Sequence, residues 1–171
     1  MKKNTSSDAI IYTYTLLRRI PHHLLLLGVY YAFAAVWAVK ALLTGSLLSL
    51  CLGYIFVQLL HMLAIRGYLH FVRKAEPQGW SFRFAHLWTG YIPAQYVMFR
   101  SFFRLHLHLL ISGFAGILLL YPWFSAAALS NILFVHLWIL GGRFYMFLMF
   151  RKQYQVGWLR LRANETSCYK Q

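Results

Sequence analysis

Four long runs of apolar residues, parted by short polar or basic connections, set the plan of the chain. They cover 20–43, 47–72, 96–120 and 125–150, and each reaches the roughly 20 residues an α-helix needs to cross the hydrocarbon core of a bilayer. Thr44-Gly45-Ser46 and Tyr121-Pro122-Trp123 are tight links that make neighbouring spans antiparallel. Pro21 falls in the first turn of the first run, where a missing N–H costs little, and Trp37 stands near its far end as an interface anchor.

The second run is polarised. Gln58 and His61 lie near its middle, and Arg66, His70 and Arg73 follow at i, i+4 and i+7, on one helical face. Ala75-Glu76-Pro77-Gln78-Gly79 then stops the helix. Between 80 and 95 the pattern changes: Trp80, Phe84, Trp88 and Tyr91 recur at i, i+4, i+8 and i+11 with Arg83 and His86 among them, which predicts an amphipathic helix in the headgroup layer. The alternation of Trp80, Phe82 and Phe84 also fits a strand, but a lone strand at a membrane surface leaves its backbone unpaired, so the helix is preferred. The expected fold is all-α: one membrane domain of four transmembrane helices plus an interfacial helix, with 1–19 and 151–171 as polar, basic ends.

Composition supports the membrane reading. Of 171 residues, 60% are apolar, 19% aromatic and only 12% charged. Lys and Arg number 17 against 3 acids, Asp8, Glu76 and Glu165, and no acid interrupts an apolar run. Four spans place every base except Lys40 on one side, so the positive-inside rule predicts a cell-membrane protein with both termini cytoplasmic. The basic start of the chain matches the n-region of a signal peptide, but the apolar run behind it is long enough to span and no small-residue cleavage site precedes a polar domain. Because the bases punctuate apolar runs and do not line a soluble surface, a nucleic-acid interface is excluded. The Asn164-Glu165-Thr166 triplet is a chance glycosylation match on that side, and Cys51 and Cys168 give neither a CxxC motif nor a plausible pair.

The chemistry-bearing pattern is a recurrence of Arg with His. Arg18 with His22, Arg19 with His23, Arg66 with His70, and Arg104 with His108 are i, i+4 pairs, and His136 precedes Arg143 by seven residues on one face. Arg66, His70, Arg73, Arg100, Arg104, His108 and Arg143 are therefore the candidate site for an anionic ligand or partner, a basic vestibule at inner-leaflet depth. The plainest reading of these bases is snorkelling to lipid phosphates; the sharper one is a headgroup, a polyprenyl phosphate or the acidic face of another subunit. His61 and His136 lie at matching depth, which admits an alternative: a b-type haem between them, its propionates on Arg66 and Arg143, with His22, His23, His70, His106 and His108 in a second layer. This resembles the ligand arrangement of membrane cytochromes b in general layout, without a family motif. The plainer alternative is that the two histidines bond to each other, to Gln58 or to a carbonyl.

Carboxylate-dependent catalysis is excluded by the lack of acids in the spans. Ser112 with His108 has no oxyanion motif, and His106 and His108 point apart at i, i+2 with no third metal ligand. The expected function is a non-enzymatic small subunit or accessory factor of a larger membrane complex, binding an acidic partner or anionic lipid, with self-association or other membrane subunits as partners and no cofactor. The alternatives are a haem-bearing electron-transfer subunit and a small transporter or lipid flippase.

Overall fold

Two segments near opposite ends of the chain lie side by side. In the computed structural model, which describes residues 13–72 and 79–171, strand β1 (Thr15–Pro21) pairs antiparallel with β6 (Glu165–Lys170), from Thr15 opposite Lys170 to Pro21 opposite Glu165. β6 also pairs with β5 (Gly157–Leu161), and β5 with β4 (Val97–Met98), giving the sheet order β1-β6-β5-β4. A second sheet joins β2 (Trp80–Arg83) to β3 (Gly90–Pro93).

These strands correct the all-α expectation. Residues 15–21 and 157–170, largely within the ends predicted as polar and basic, supply strands: in β5 Gly157, Leu159 and Leu161 are buried while Trp158 and Arg160 are half-buried, the period of two that a strand on a core requires. The interfacial helix predicted over 80–95 is instead a hairpin with one 3₁₀ turn, His86–Trp88, between its strands. Pairing removes the objection to a strand there, since Phe82 lies opposite Tyr91 and Trp80 opposite Pro93, so each backbone finds its partner in the other. Pro21 belongs to β1, an edge strand, where proline is tolerated because one side of the strand has no ladder to break.

The helices are α1 (Leu24–Leu43), α2 (Leu47–Gly67, continued by a π turn over Tyr68–Val72), α3 (Phe99–Leu119) and α4 (Ala126–Met149). All four are long and apolar enough to cross a membrane. The sheets gather at one end of the bundle; the α1–α2 and α3–α4 links lie at the other. α4 is the central helix, half buried over its most apolar stretch against 11% for α1. Gly142 accounts for part of that packing: a Cβ there would stand 3.0 Å from the Tyr30 ring and 3.1 Å from Leu87, whereas Gly141 faces open space.

The hairpin turn drives Leu87, Trp88, Tyr91 and Ile92 into the core formed by Phe99, Phe102, Leu105, Met146 and Phe147. Its anchor is polar. Trp88 Nε1–H donates to Thr166 Oγ1 (2.7 Å), and the His22 ring contacts the Ala163 carbonyl through Nδ1 (2.9 Å) and Thr166 Oγ1 through Nε2 (3.0 Å). Nδ1 can only donate to a carbonyl, so in the neutral ring Nε2 accepts from the Thr166 hydroxyl, and all three groups are satisfied. Burial holds the His22 imidazole below its ordinary pKa, only partly opposed by the Ala163 bond, which keeps it neutral. Trp88→Phe removes one bond of this knot and is expected to cost about 1 kcal/mol, a fall of about 2–4 °C in Tm for a chain of this size. Thr166→Val, which orphans both Trp88 and His22, should cost more; a smaller loss from Thr166→Val in thermal unfolding would refute the knot.

Candidate functional site

The interior of the bundle carries a polar cluster drawn from three helices and the hairpin. α2 supplies Gln58 and His61, one turn apart; α3 supplies His106; α4 supplies His136 and Arg143, two turns apart. All five are buried, Arg143, His106 and His136 completely. The Thr89–Gly90 backbone reaches the same place from the hairpin, and such non-helical backbone is tolerated at membrane depth because protein surrounds it.

The hydrogen bonds assign each ring's tautomer. His136 Nε2 faces the Leu110 carbonyl (3.4 Å) and must donate to it, so its Nδ1 accepts from His61 Nε2–H at 2.9 Å. His61 Nδ1 is left as a lone pair without a partner. On the other side His106 Nδ1–H donates to the Phe102 carbonyl (2.8 Å), leaving Nε2 to accept from Arg143 Nη1 (3.0 Å). Arg143 Nη2 donates to the Thr89 carbonyl at 2.6 Å. Arg143 Nε and both polar atoms of the Gln58 amide have no partner. An arginine within a membrane helix costs up to about 2.5–3.5 kcal/mol on insertion scales, less away from the helix centre; for Arg143, six residues from the end of α4, two neutral acceptors offset part of that.

Gly113 makes room for the histidine pair. A Cβ on Gly113 would overlap the His136 ring, so only glycine lets α3 pass that close to α4. A second polar knot lies toward the far end, where Asn131 Nδ2 donates to Ser49 Oγ (2.7 Å) and the Ser46 carbonyl (3.2 Å) and its Oδ1 accepts from Trp37 Nε1–H (2.9 Å).

Of the predicted anionic-ligand residues, only Arg143 is interior. Arg66 is exposed, with its guanidinium 5.4 Å from the Tyr91 ring centroid. His70, Arg100, Arg104 and His108 are also exposed, the last with its ring 5.3 Å from Tyr68. Arg73 lies outside the described residues. The bases thus divide into an outer set around the sheet end and one buried cation. The partner of that cation, His106, was readable: with Phe102, Leu105 and Leu109 it forms the i, i+3, i+4, i+7 face that α3 buries. Thr89 carried no such signal, since it contributes a carbonyl and not a side chain.

His61 and His136 do not fit the haem alternative. An iron between two imidazoles holds the nitrogens about 4 Å apart with a porphyrin in the gap, whereas these rings bond directly at 2.9 Å. Arg143, the proposed propionate partner, is already engaged by His106 and Thr89. Of the two cysteines, Cys51 is exposed on α2 and Cys168 is buried in β6, where burial pushes its thiol up to about 11. No protein-family model matches this chain, and no curated protein and no solved structure is similar to it.

Proposed function

We propose that the chain is a non-enzymatic multi-pass membrane protein, a small subunit or accessory factor of a larger membrane complex, whose sheet end faces the cytoplasm and engages negative charge there. The counter-charge is anionic lipid headgroups or the acidic face of a partner subunit. The supporting observation is a shortage of internal carboxylates. Among the described residues the ion pairs are Arg19–Glu165 (3.3 Å) and Arg162–Glu165 (3.2 Å), both on the same acid. Arg66, Arg100, Arg104, Arg151 and Lys152 are exposed near the sheet-end termini of their helices, where each basic residue gains on the order of 1 kcal/mol near an anionic leaflet. Placing this end in the cytoplasm follows from the same asymmetry, with Lys40 alone near the far end.

Arg100 and Arg104, one turn apart on the exposed face of α3, are the sharpest test. Arg100→Glu with Arg104→Glu should reduce the anionic phospholipid retained in mild detergent, or the yield of a co-purifying membrane subunit, several-fold. Reversal of Arg160 and Arg162 should leave both readouts near wild type, because Arg162 already faces Glu165 and Arg160 donates to the Tyr96 hydroxyl. Phospholipid analysis and partner recovery separate the two sources of charge. Equal effects of the two reversals on both readouts would reduce the basic residues to a topology signal and refute the proposal.

A further inference from the structure

A cleft of about 490 Å³ opens between α3 and α4 at the sheet end of the bundle, within the roughly 300–1,000 Å³ of ligand-binding pockets. Its floor is aromatic. Phe99 and Phe103, one turn apart on α3, meet Phe144 and Phe147 of α4 at ring-centroid distances of 5.5–6.0 Å. The 3₁₀ turn Arg151–Gln153 then returns Tyr154 onto α3, its ring 5.5 Å from Phe99 and 5.7 Å from Phe103, so the rings hold one another and the cleft is preformed. Leu148, 58% exposed, makes a wall, and the exposed Arg151 lines the cleft at the α4 terminus. Among the described residues Arg151 has no carboxylate, because both ion pairs use Glu165, with Arg19 and Arg162. Arg18, whose Nη1 donates to the Met149 carbonyl at 2.7 Å, brings a second guanidinium to the same helix end.

The cleft is polarised along its helices. Arg151 stands at the headgroup end, and Phe144 lies seven residues back along α4, about 10 Å deeper at 1.5 Å per residue. A phospholipid in that leaflet has the same polarity, with its phosphate at the interface and its chains toward the bilayer centre, and a guanidinium is the side chain best matched to phosphate. The groove between α1 and α4 is larger, about 540 Å³, but no charged residue lines it, so it has nothing with which to choose a headgroup. We infer that the α3–α4 cleft is a discrete site for one anionic phospholipid, with an acyl chain over Phe103 and Phe144 and the phosphate at Arg151. This site rests on the proposal that the sheet end engages anionic headgroups, and it gives that engagement one place.

The full chain, purified in neutral detergent, is titrated with phosphatidylglycerol and with phosphatidylcholine of the same acyl chains, and bound lipid is counted by native mass spectrometry. The wild type should take up one phosphatidylglycerol saturably and several-fold more tightly than phosphatidylcholine. Arg151→Gln should weaken that first phosphatidylglycerol about tenfold, the loss of one charge-assisted hydrogen bond, and phosphatidylcholine far less. Leu148→Trp fills the cleft from an exposed position and should weaken both lipids, whereas Leu137→Trp, in the α1–α4 groove and 42% exposed, should change neither. All three positions are exposed, so a Tm near that of the wild type confirms that each variant is folded. Unchanged phosphatidylglycerol binding in Arg151→Gln and Leu148→Trp overturns the site; if Arg100→Glu with Arg104→Glu still lowers lipid retention, the sheet end holds anionic lipid elsewhere than in this cleft. Loss of a co-purifying subunit in Leu148→Trp with lipid binding unchanged gives the cleft to a protein segment and overturns the site as well. A wild type without preference for phosphatidylglycerol overturns both the site and specific lipid retention at the sheet end.

Discussion

Gly90→Ala is expected to lower stability by about 2–6 kcal/mol, as much as a large core truncation. Two independent penalties add. The backbone at Gly90 has φ of +118°, a conformation that costs an L-residue about 1–3 kcal/mol. The new methyl would also stand 2.5 Å from Gln58 Oε1 and 3.0 Å from Arg143 Nη2, and forcing such a group into a packed interior costs about 1–3 kcal/mol more. Arg143 does not retreat easily, because Nη2 itself donates to the Thr89 carbonyl and Nη1 is tied to His106, so the Gln58 amide is the group that must give way. Gly45→Ala is the matched control: its φ of +65° is also left-handed, but its Cβ would meet nothing within 4 Å, so only the backbone cost of about 1–2 kcal/mol applies. Thermal or chemical unfolding of the two variants in one detergent separates packing from strain. Losses of equal size would mean that the hairpin does not press into the polar cluster.

The difference between these glycines shows where the sequence was legible. Hydropathy located the four long apolar helices within a few residues, because length and apolarity are properties of the chain alone. It could not say which face of each helix is buried. In a bilayer both the lipid side and the interior are apolar, so the inward face of α1 or α4 has no compositional contrast with its outward face. The basic residues show the same limit: the i, i+4 spacing of Arg66 with His70 and of Arg104 with His108 puts each pair on one face, and that face is the exposed one. Arg143, by contrast, turns inward with His136. The strands were hidden for another reason. β1 and β6 are each short and of mixed character, and their pairing joins residues as distant as Thr15 and Lys170, a contact that no local pattern announces. The hairpin was half visible in the alternation of Trp80, Phe82 and Phe84; the missing piece was Gly90–Pro93, whose four buried residues show no alternation at all.

Gly113→Ala should damage the centre of the bundle in a way that Gly116→Ala, three residues on, does not. Both glycines lie within α3, so both substitutions raise helix propensity by about 0.5–1 kcal/mol. At Gly116 nothing stands within 4 Å of the new Cβ, and that gain should appear as unchanged or slightly raised stability. At Gly113 the Cβ would overlap Cε1 of His136 and crowd both ring nitrogens. The ring cannot swing clear without breaking its 2.9 Å bond with His61 or its contact with the Leu110 carbonyl. It is also packed edge-on to Phe114, with ring centroids 6.0 Å apart. The alternative is for α3 to move away from α4, opening a gap between Ile117 and its neighbours Ile132 and Val135. Either route costs about 1–3 kcal/mol for overpacking, with about 1–3 kcal/mol more if an imidazole nitrogen is left buried and unpaired. The two routes are distinguishable: loss of the His61–His136 bond changes the histidine nitrogen shifts of a labelled sample, whereas helix separation lowers stability with the tautomers preserved. If Gly113→Ala is as well tolerated as Gly116→Ala by both measures, the two histidines are not joined at the centre of the bundle, and the tautomers assigned along the His61–His136–Leu110 chain fall with them.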